Sequence, residues 1–462
     1  QAQEHEASPG IQERRVTERA VEVTQTQTQT QTQTQAQAQA QFNEAIALHQ
    51  QGQLGQAKAI YERILQGSPR HAQALHMLGV IAYQTGNHQV AAELIGQAIA
   101  INPSDAASYS NRGNALFELK QFEAAIKSYD RAISIKPDYS EAYNNRGNAL
   151  KELKQLEASV ESLERAIIMK PDYAEAYINL GNALQGLKQF EGAVESYERA
   201  LSLKPNIVEA YNNRGNALLE LREFNAAAQS YERALSIKLD HDYLLGSLLH
   251  ARINLCDWKE LDERVAELFE NIHNDAKASV SFNVLSLSGS LSVQRKAAEI
   301  YSQDKYPAAA KPVWSGQRYE HARIRVAYVS CDFKLHPAAL NNIQMWEMHD
   351  RSRFEVIAIS YGPVVQEDAV SEAGMLRARL VKAFDRFLDV GDKSDEQIAQ
   401  LMRDMEVDIA LDISGTMQGS RQGILAHRPA PVQVNLCGYT SGAPYIDYII
   451  EDRIVIPPEH EG

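Results

Sequence analysis

Apolar and polar positions across residues 36–239 recur with a period of 34 residues. Gly79, Gly113, Gly147, Gly181 and Gly215 keep that step, as do Pro69, Pro103, Pro137, Pro171 and Pro205. Ala98, Ala132, Ala166, Ala200 and Ala234 form a third register, and Tyr109, Tyr143, Tyr177 and Tyr211 a fourth. Each period predicts a helical hairpin. A small residue in the first helix lets the second approach closely, and the proline ends one hairpin and starts the next. One hairpin cannot bury its apolar face alone, so the array predicts an α-solenoid.

After residue 239 the period is lost. Residues 240–273 still predict helices, with Leu244, Leu245, Leu248 and Leu249 followed by a stripe of Leu261, Val265, Leu268 and Phe269. Residues 302–322, with Pro307 and Pro312, read as a linker. From 323 the pattern shortens to β-branched runs: IRVAYVS (324–330), FEVIAISY (354–361) and VDIALDIS (407–414). PVQVNLCGY (431–439) and IDYIIEDRIVIPP (446–458) supply two or three more, with helical stretches at 372–387 and 394–406 between. Strand alternating with helix predicts a parallel, doubly wound sheet. Ligands of such sheets bind outside the carboxyl ends of the strands, where YVSCDFKLHP (328–337) places His336.

Composition narrows the function classes. A net charge of -14 argues against nucleic-acid partners, which need clustered Lys and Arg. Cys256, Cys331 and Cys437 stand far apart, so neither a disulfide framework nor a zinc ribbon is signalled and a reducing, cytoplasmic compartment is expected. No apolar run reaches the roughly 18 residues of a membrane span. The histidines lack metal-ligand spacing and there is no GxGxxG or Walker loop, so no metal or cofactor is expected. The Thr/Gln and Ala/Gln tract at 24–41 has little to bury. The expected plan is a disordered low-complexity tail at 1–35, about six repeats at 36–239, a helical cap and linker at 240–322 and an α/β lobe at 323–462.

The repeats, as in AYNNRGNALKELKQLEASVESLERAIIMKPD (142–172), resemble the tetratricopeptide repeat (TPR). Asn111, Asn145, Asn179 and Asn213 recur at the period, and Asn114, Asn148, Asn182 and Asn216 follow three residues later. Spacing of i, i+3 puts each pair near one helix face. The first series matches the asparagine ladder of O-linked N-acetylglucosamine (O-GlcNAc) transferases, which implies that these amides hold the backbone of a bound peptide. The plain alternative is a tolerated polar position. For the second series the sequence gives no role.

The later motifs carry a second resemblance. YVSCDFKLHP (328–337), HDRSRFEVIAISYGP (349–363), AFDRFLDV (383–390), DIALDISG (408–415), HRPAPVQVNLCGY (427–439) and GAPYIDYIIEDRIVIPP (442–458) are similar to the first catalytic lobe of the TPR-linked O-GlcNAc transferase and SPINDLY family. The resemblance implies a Rossmann-like half of a two-lobed, GT-B type glycosyltransferase that moves a sugar onto a protein hydroxyl with inversion. The donor would be UDP-N-acetylglucosamine in preference to GDP-fucose, and the partners would be proteins or peptides captured by the repeats.

Within that family His336 matches the HP histidine considered as a base; a lone loop histidine would otherwise cap a backbone group. Asp408 and Asp412 are read as flanking the end of a strand where the cleft opens, able to orient an acceptor or sugar hydroxyls, with a strand-end turn as the alternative. Arg428 in RPAP is expected to be structural, and Cys331 to be packing. Gly438–Gly442 is about two residues shorter than the family's GYPGTxGAP loop, and Ile413–Met417 replaces its LKGYT-like turn. The family's second lobe does not follow within these residues, so the chain alone is expected to be inactive and to self-associate through an uncovered sheet face. The alternative is an inactive TPR adaptor with a relic lobe.

Overall fold

The computed structural model describes residues 38–450, apart from 369, 416, 418 and 437–441. Contacts divide the chain into two units, Gln1–Ala217 and Leu218–Gly462.

In the first unit, helical hairpins succeed one another: Ala72–Gln84 with His88–Ile101, Ala106–Glu118 with Phe122–Ile135, Ser140–Glu152 with Leu156–Met169, and Ala174–Gly186 with Phe190–Leu203. A Cβ on Gly113 would lie 2.5 Å from the Tyr129 ring, and one on Gly147 would lie 2.6 Å from Leu163 Cγ, so these registers admit no side chain. The turn between the two helices needs a left-handed residue. Gly52 and Gly86 supply it first, and Lys120, Lys154 and Lys188 adopt it afterwards with φ of 58–61°.

The second unit starts with helices Phe224–Ile237, Leu244–Asn254, Leu261–His273, Ser281–Leu285 and Leu291–Lys305. Asp304 fastens the last of them, accepting from the Tyr243 hydroxyl at 2.7 Å and pairing with Lys277 at 2.6 Å. These bonds and the neighbouring Lys305 hold the Asp304 carboxyl far below the usual carboxylate range.

A six-stranded sheet follows: β1 (Ile324–Ser330), β2 (Phe354–Ser360), β3 (Arg386–Asp389), β4 (Ile409–Asp412), β5 (Val432–Leu436) and β6 (Tyr448–Ile450). Its order is β3-β2-β1-β4-β5-β6 and every pairing is parallel. Chain order reverses between β1 and β4, which makes their carboxyl ends the switch point where such sheets bind ligands. On one face Tyr328, Phe333, Trp346 and Phe384 pack edge to face, and on the other lie Val329, Ile357, Ile359, Ala410 and Ile424.

The stretch 372–387 is not one helix. The helix ends at Lys382 and Arg386–Asp389 turns into β3. Arg377 lies 2.5 Å from Asp389 and stacks over Phe387, and Glu355 of β2 pairs with Arg386 at 3.0 Å, so the short edge strand is held by charge as much as by apolar burial. The predicted strand at 446–458 is described only as far as Ile450, and the shortened loop at 438–442 lies mostly outside the described residues. Among the described residues no helix is long and apolar enough to cross a membrane.

Candidate active site and carboxamide ladder

The asparagines of the first series reach back to the preceding repeat. Asn145 Nδ2 donates to Asn114 Oδ1 at 2.9 Å, and Asn213 Nδ2 to Asn182 Oδ1 at 2.9 Å. Asn179 Nδ2 donates to Asn144 Oδ1 at 2.9 Å, and Asn111 Nδ2 meets His76 Nε2 at 2.8 Å. Burial lowers the His76 pKa, favouring the neutral ring that accepts that bond. Each amide therefore spends one donor on the array and keeps a second N–H and an oxygen lone pair for other partners.

These bonds give Asn114 and Asn182 of the second series their role. Asn114 Oδ1 also accepts from the Tyr129 hydroxyl at 2.9 Å, and Asn182 Oδ1 from the Tyr197 hydroxyl at 2.8 Å. Both phenols are buried, which pushes their pKa values up and keeps them as donors. In repeat 142–172 the tyrosine position is Leu163, so Asn148 has no phenol to meet, and Asn179 takes Asn144 instead. The sequence signal was present in the shared period of Tyr129 and Tyr197 with the asparagines, but the partners sit 15 and 31 residues apart.

In the lobe, β1 ends at Ser330, whose hydroxyl lies 3.0 Å from the Ser414 hydroxyl beyond β4 and accepts from the Asp332 N–H at 3.0 Å. This clasp, absent from the sequence reading, fixes the two strand ends at the switch point. His336 starts the helix Pro337–Glu347 as its N-cap, with Nδ1 accepting from the Ala338 N–H at 3.2 Å. In that arrangement the neutral ring carries its proton on Nε2. Asp332 Oδ2 lies 3.7 Å from the same Nδ1.

Asp412 ends β4 and is buried. Its oxygens accept from the Ser414 and Gly415 N–H groups at 2.9 and 3.1 Å, a turn closure at the strand end. Burial outweighs these bonds and raises its pKa to about 6. Asn435, opposite it on β5, favours the ionised form, although its buried amide makes no hydrogen bond of good geometry among the described residues. Tyr361 stands above this turn, its hydroxyl accepting from the Arg421 N–H at 3.3 Å.

Asp408 does not join Asp412 at the strand end. It precedes β4 at the amino edge, where Oδ2 accepts from the Arg325 N–H at 2.9 Å and lies 3.2 Å from His321 Nδ1. The strand spans only Ile409–Asp412, so a rise of ~3.3 Å per residue sets the two carboxyls roughly 13 Å apart along it. The expectation that both flank the cleft is thereby corrected. Arg428 binds the Pro431 and Tyr445 carbonyls at 2.9 and 3.1 Å, a structural arrangement. Burial and Asp332 push the Cys331 thiol pKa up, away from nucleophilic chemistry.

The description "Glycosyl transferase family 41" fits residues 255–461. Those residues are similar to glycosyl transferase family 41. Tetratricopeptide repeat models match 42–106, 113–188 and 174–241 ahead of them, so TPR repeats precede a segment similar to family 41, the combination by which this chain resembles proteins of O-GlcNAc transferase and SPINDLY type. A probable UDP-N-acetylglucosamine–peptide N-acetylglucosaminyltransferase SEC of Arabidopsis thaliana is 28% identical over 230 residues, covering 46% of this chain and 23% of that protein. A UDP-N-acetylglucosamine–peptide N-acetylglucosaminyltransferase of Caenorhabditis elegans is 30% identical over 226 residues, 44% of this chain and 18% of that one. The chain thus spans under a quarter of the length of these curated relatives. An O-GlcNAc transferase mutant of Thermobaculum terrenum aligns at 23% identity and TM-score 0.45, over 70% of this chain and 55% of its own.

Proposed function

We propose that the natively expressed protein is a protein O-glycosyltransferase, moving a sugar from a nucleotide donor to Ser or Thr of proteins held by its repeats. The observation that carries the reading is the family 41 match over 255–461, directly behind an array that repeats a carboxamide at four successive periods. UDP-N-acetylglucosamine is the favoured donor, since the two relatives above bear that name; GDP-fucose is the competitor.

Chemistry asks two things of the site. The acceptor hydroxyl must lose its proton as the sugar carbon is attacked, and the departing diphosphate must have its charge met. His336, at the carboxyl end of β1, is assigned the first task, and Asp412 is assigned to shape the strand-end turn beside it. Asn111, Asn145, Asn179 and Asn213 would offer their remaining amide groups to peptide backbone, which suits many sequences because backbone is common to all. The protein is assigned to the cytoplasm and no metal is invoked. Self-association would use the β6 edge, where Tyr448, Ile449 and Ile450 are 63%, 44% and 49% exposed.

A second reading, a TPR adaptor with an inactive lobe, draws on the capping bond that occupies Nδ1 of His336. Incubating the native protein with an acceptor and each donor separately distinguishes them by mass. An added N-acetylhexosamine supports the transferase and its donor, an added deoxyhexose moves the donor to GDP-fucose, and an unmodified acceptor with both leaves the adaptor.

A further inference from the structure

Asp332 and His336 stand four residues apart after β1, and Nδ1 of the ring has two neighbours. The Ala338 N–H reaches it at 3.2 Å, and Asp332 Oδ2 lies 3.7 Å away. These neighbours demand opposite tautomers. Accepting from Ala338 leaves the ring proton on Nε2, whereas donating to Asp332 moves it to Nδ1 and bares the Nε2 lone pair. Only the second form can take a proton through Nε2, the nitrogen not engaged by the loop.

We propose that Asp332 is the positioning residue for His336, drawing the ring proton to Nδ1 and so giving Nε2 its proton-accepting form. The inference rests on the reading of His336 as an active-site group. Asp332 is built for a fixed role. Its side chain is 8% exposed, and its backbone N–H is anchored on the Ser330 hydroxyl, itself clasped to Ser414. The Lys334 ammonium lies 3.5 Å from Oδ1, so Oδ2 is the oxygen turned to the ring. Releasing the cap frees few donors at this helix start, because Pro337 occupies its first turn and has no N–H to lose. In the transfer step the acceptor O–H breaks, its oxygen bonds the sugar carbon as the diphosphate leaves, and the proton arrives on Nε2. The resulting imidazolium then donates Nδ1–H to the Asp332 carboxylate, as in other oriented acid–base pairs.

Long-range proton–nitrogen NMR of the histidine-labelled chain reads the tautomer directly, with His336 picked out from the 13 histidines by its loss in His336→Gln. The neutral wild-type ring is expected to show an Nδ1–H population beside the Nε2–H form of the capped helix, Asp332→Ala to leave Nε2–H alone, and Asp332→Asn, which keeps a neutral acceptor of equal size, to fall between. A wild-type ring wholly in the Nε2–H form overturns the proposal, as does an Nδ1–H ring that persists in Asp332→Ala; should that variant not fold, the wild-type and Asp332→Asn rings decide. The readout needs no turnover. An Nδ1–H ring in a protein that transfers no sugar defeats only the transferase reading, and an Nε2–H ring in one that does transfer defeats only this inference.

Discussion

Asn145 donates to Asn114 across 2.9 Å, and the oxygen that receives it also receives the Tyr129 hydroxyl. One carboxamide thus ties its own hairpin to the following one. Replacing Asn114 with Ala strands two donors, one of them on a phenol 1% exposed, and is expected to destabilise the array by about 1–3 kcal/mol in urea unfolding. A change of only a few tenths would mean the relay is decorative. The same coupling bears on peptide capture: any asparagine replacement needs a stability control before lost binding is assigned to the ladder.

Leu163 interrupts the relay, and restoring it is a gain-of-stability test. Tyr129 and Tyr197 already face Gly113 and Gly181 as Leu163 faces Gly147, so a ring fits that register. Leu163→Tyr should place a hydroxyl on Asn148 and raise the melting temperature by a few degrees, with about 1 kcal/mol added. A fall would show that the neighbouring repeat has closed around the smaller side chain.

Left-handed Lys120, Lys154 and Lys188 occupy the register that Gly52 and Gly86 fill upstream. Lysine there has its Cβ crowded against the carbonyl, a cost glycine avoids. Lys120→Gly is therefore expected to stabilise by up to about 1 kcal/mol, offset in part by glycine's freer unfolded chain. Destabilisation would point to a contact made by the lysine side chain.

Asp412 makes the lobe sensitive to pH. Its folded pKa of about 6 lies above the ordinary carboxylate value, so the folded state holds the proton more tightly than the unfolded chain. The associated stability is complete below about pH 4 and is lost as pH rises through about 6, a span worth about 3 kcal/mol. Asp412→Asn should flatten this part of the stability profile, measured by denaturant unfolding of the chain from pH 4 to 7.5. An unchanged slope would remove Asp412 as its source.

Much of the fold was legible because it repeats. Gly113, Gly147 and Gly181 announced a close approach, and the structure supplies Tyr129, Leu163 and Tyr197 as what approaches. The strand 324–330 was bounded correctly because β1 is central and apolar throughout. Strand β3 was hidden: RFLD is a charged edge strand of four residues, and it continues a helical pattern. Asp408 was misplaced because period-2 alternation marks a strand without marking which end a carboxyl guards. The second asparagine series stayed silent for a different reason, since its partners come from other helices and only packing brings them together.

In the proposed transfer, His336 is the group that relieves the acceptor of its proton. Sugar transfer by the native protein, compared with His336→Ala, tests that most directly, with peptide capture measured in parallel. The prediction is that turnover falls by orders of magnitude, on the scale of lost general acid–base catalysis, while capture is unchanged. Wild-type turnover in His336→Ala would contradict it.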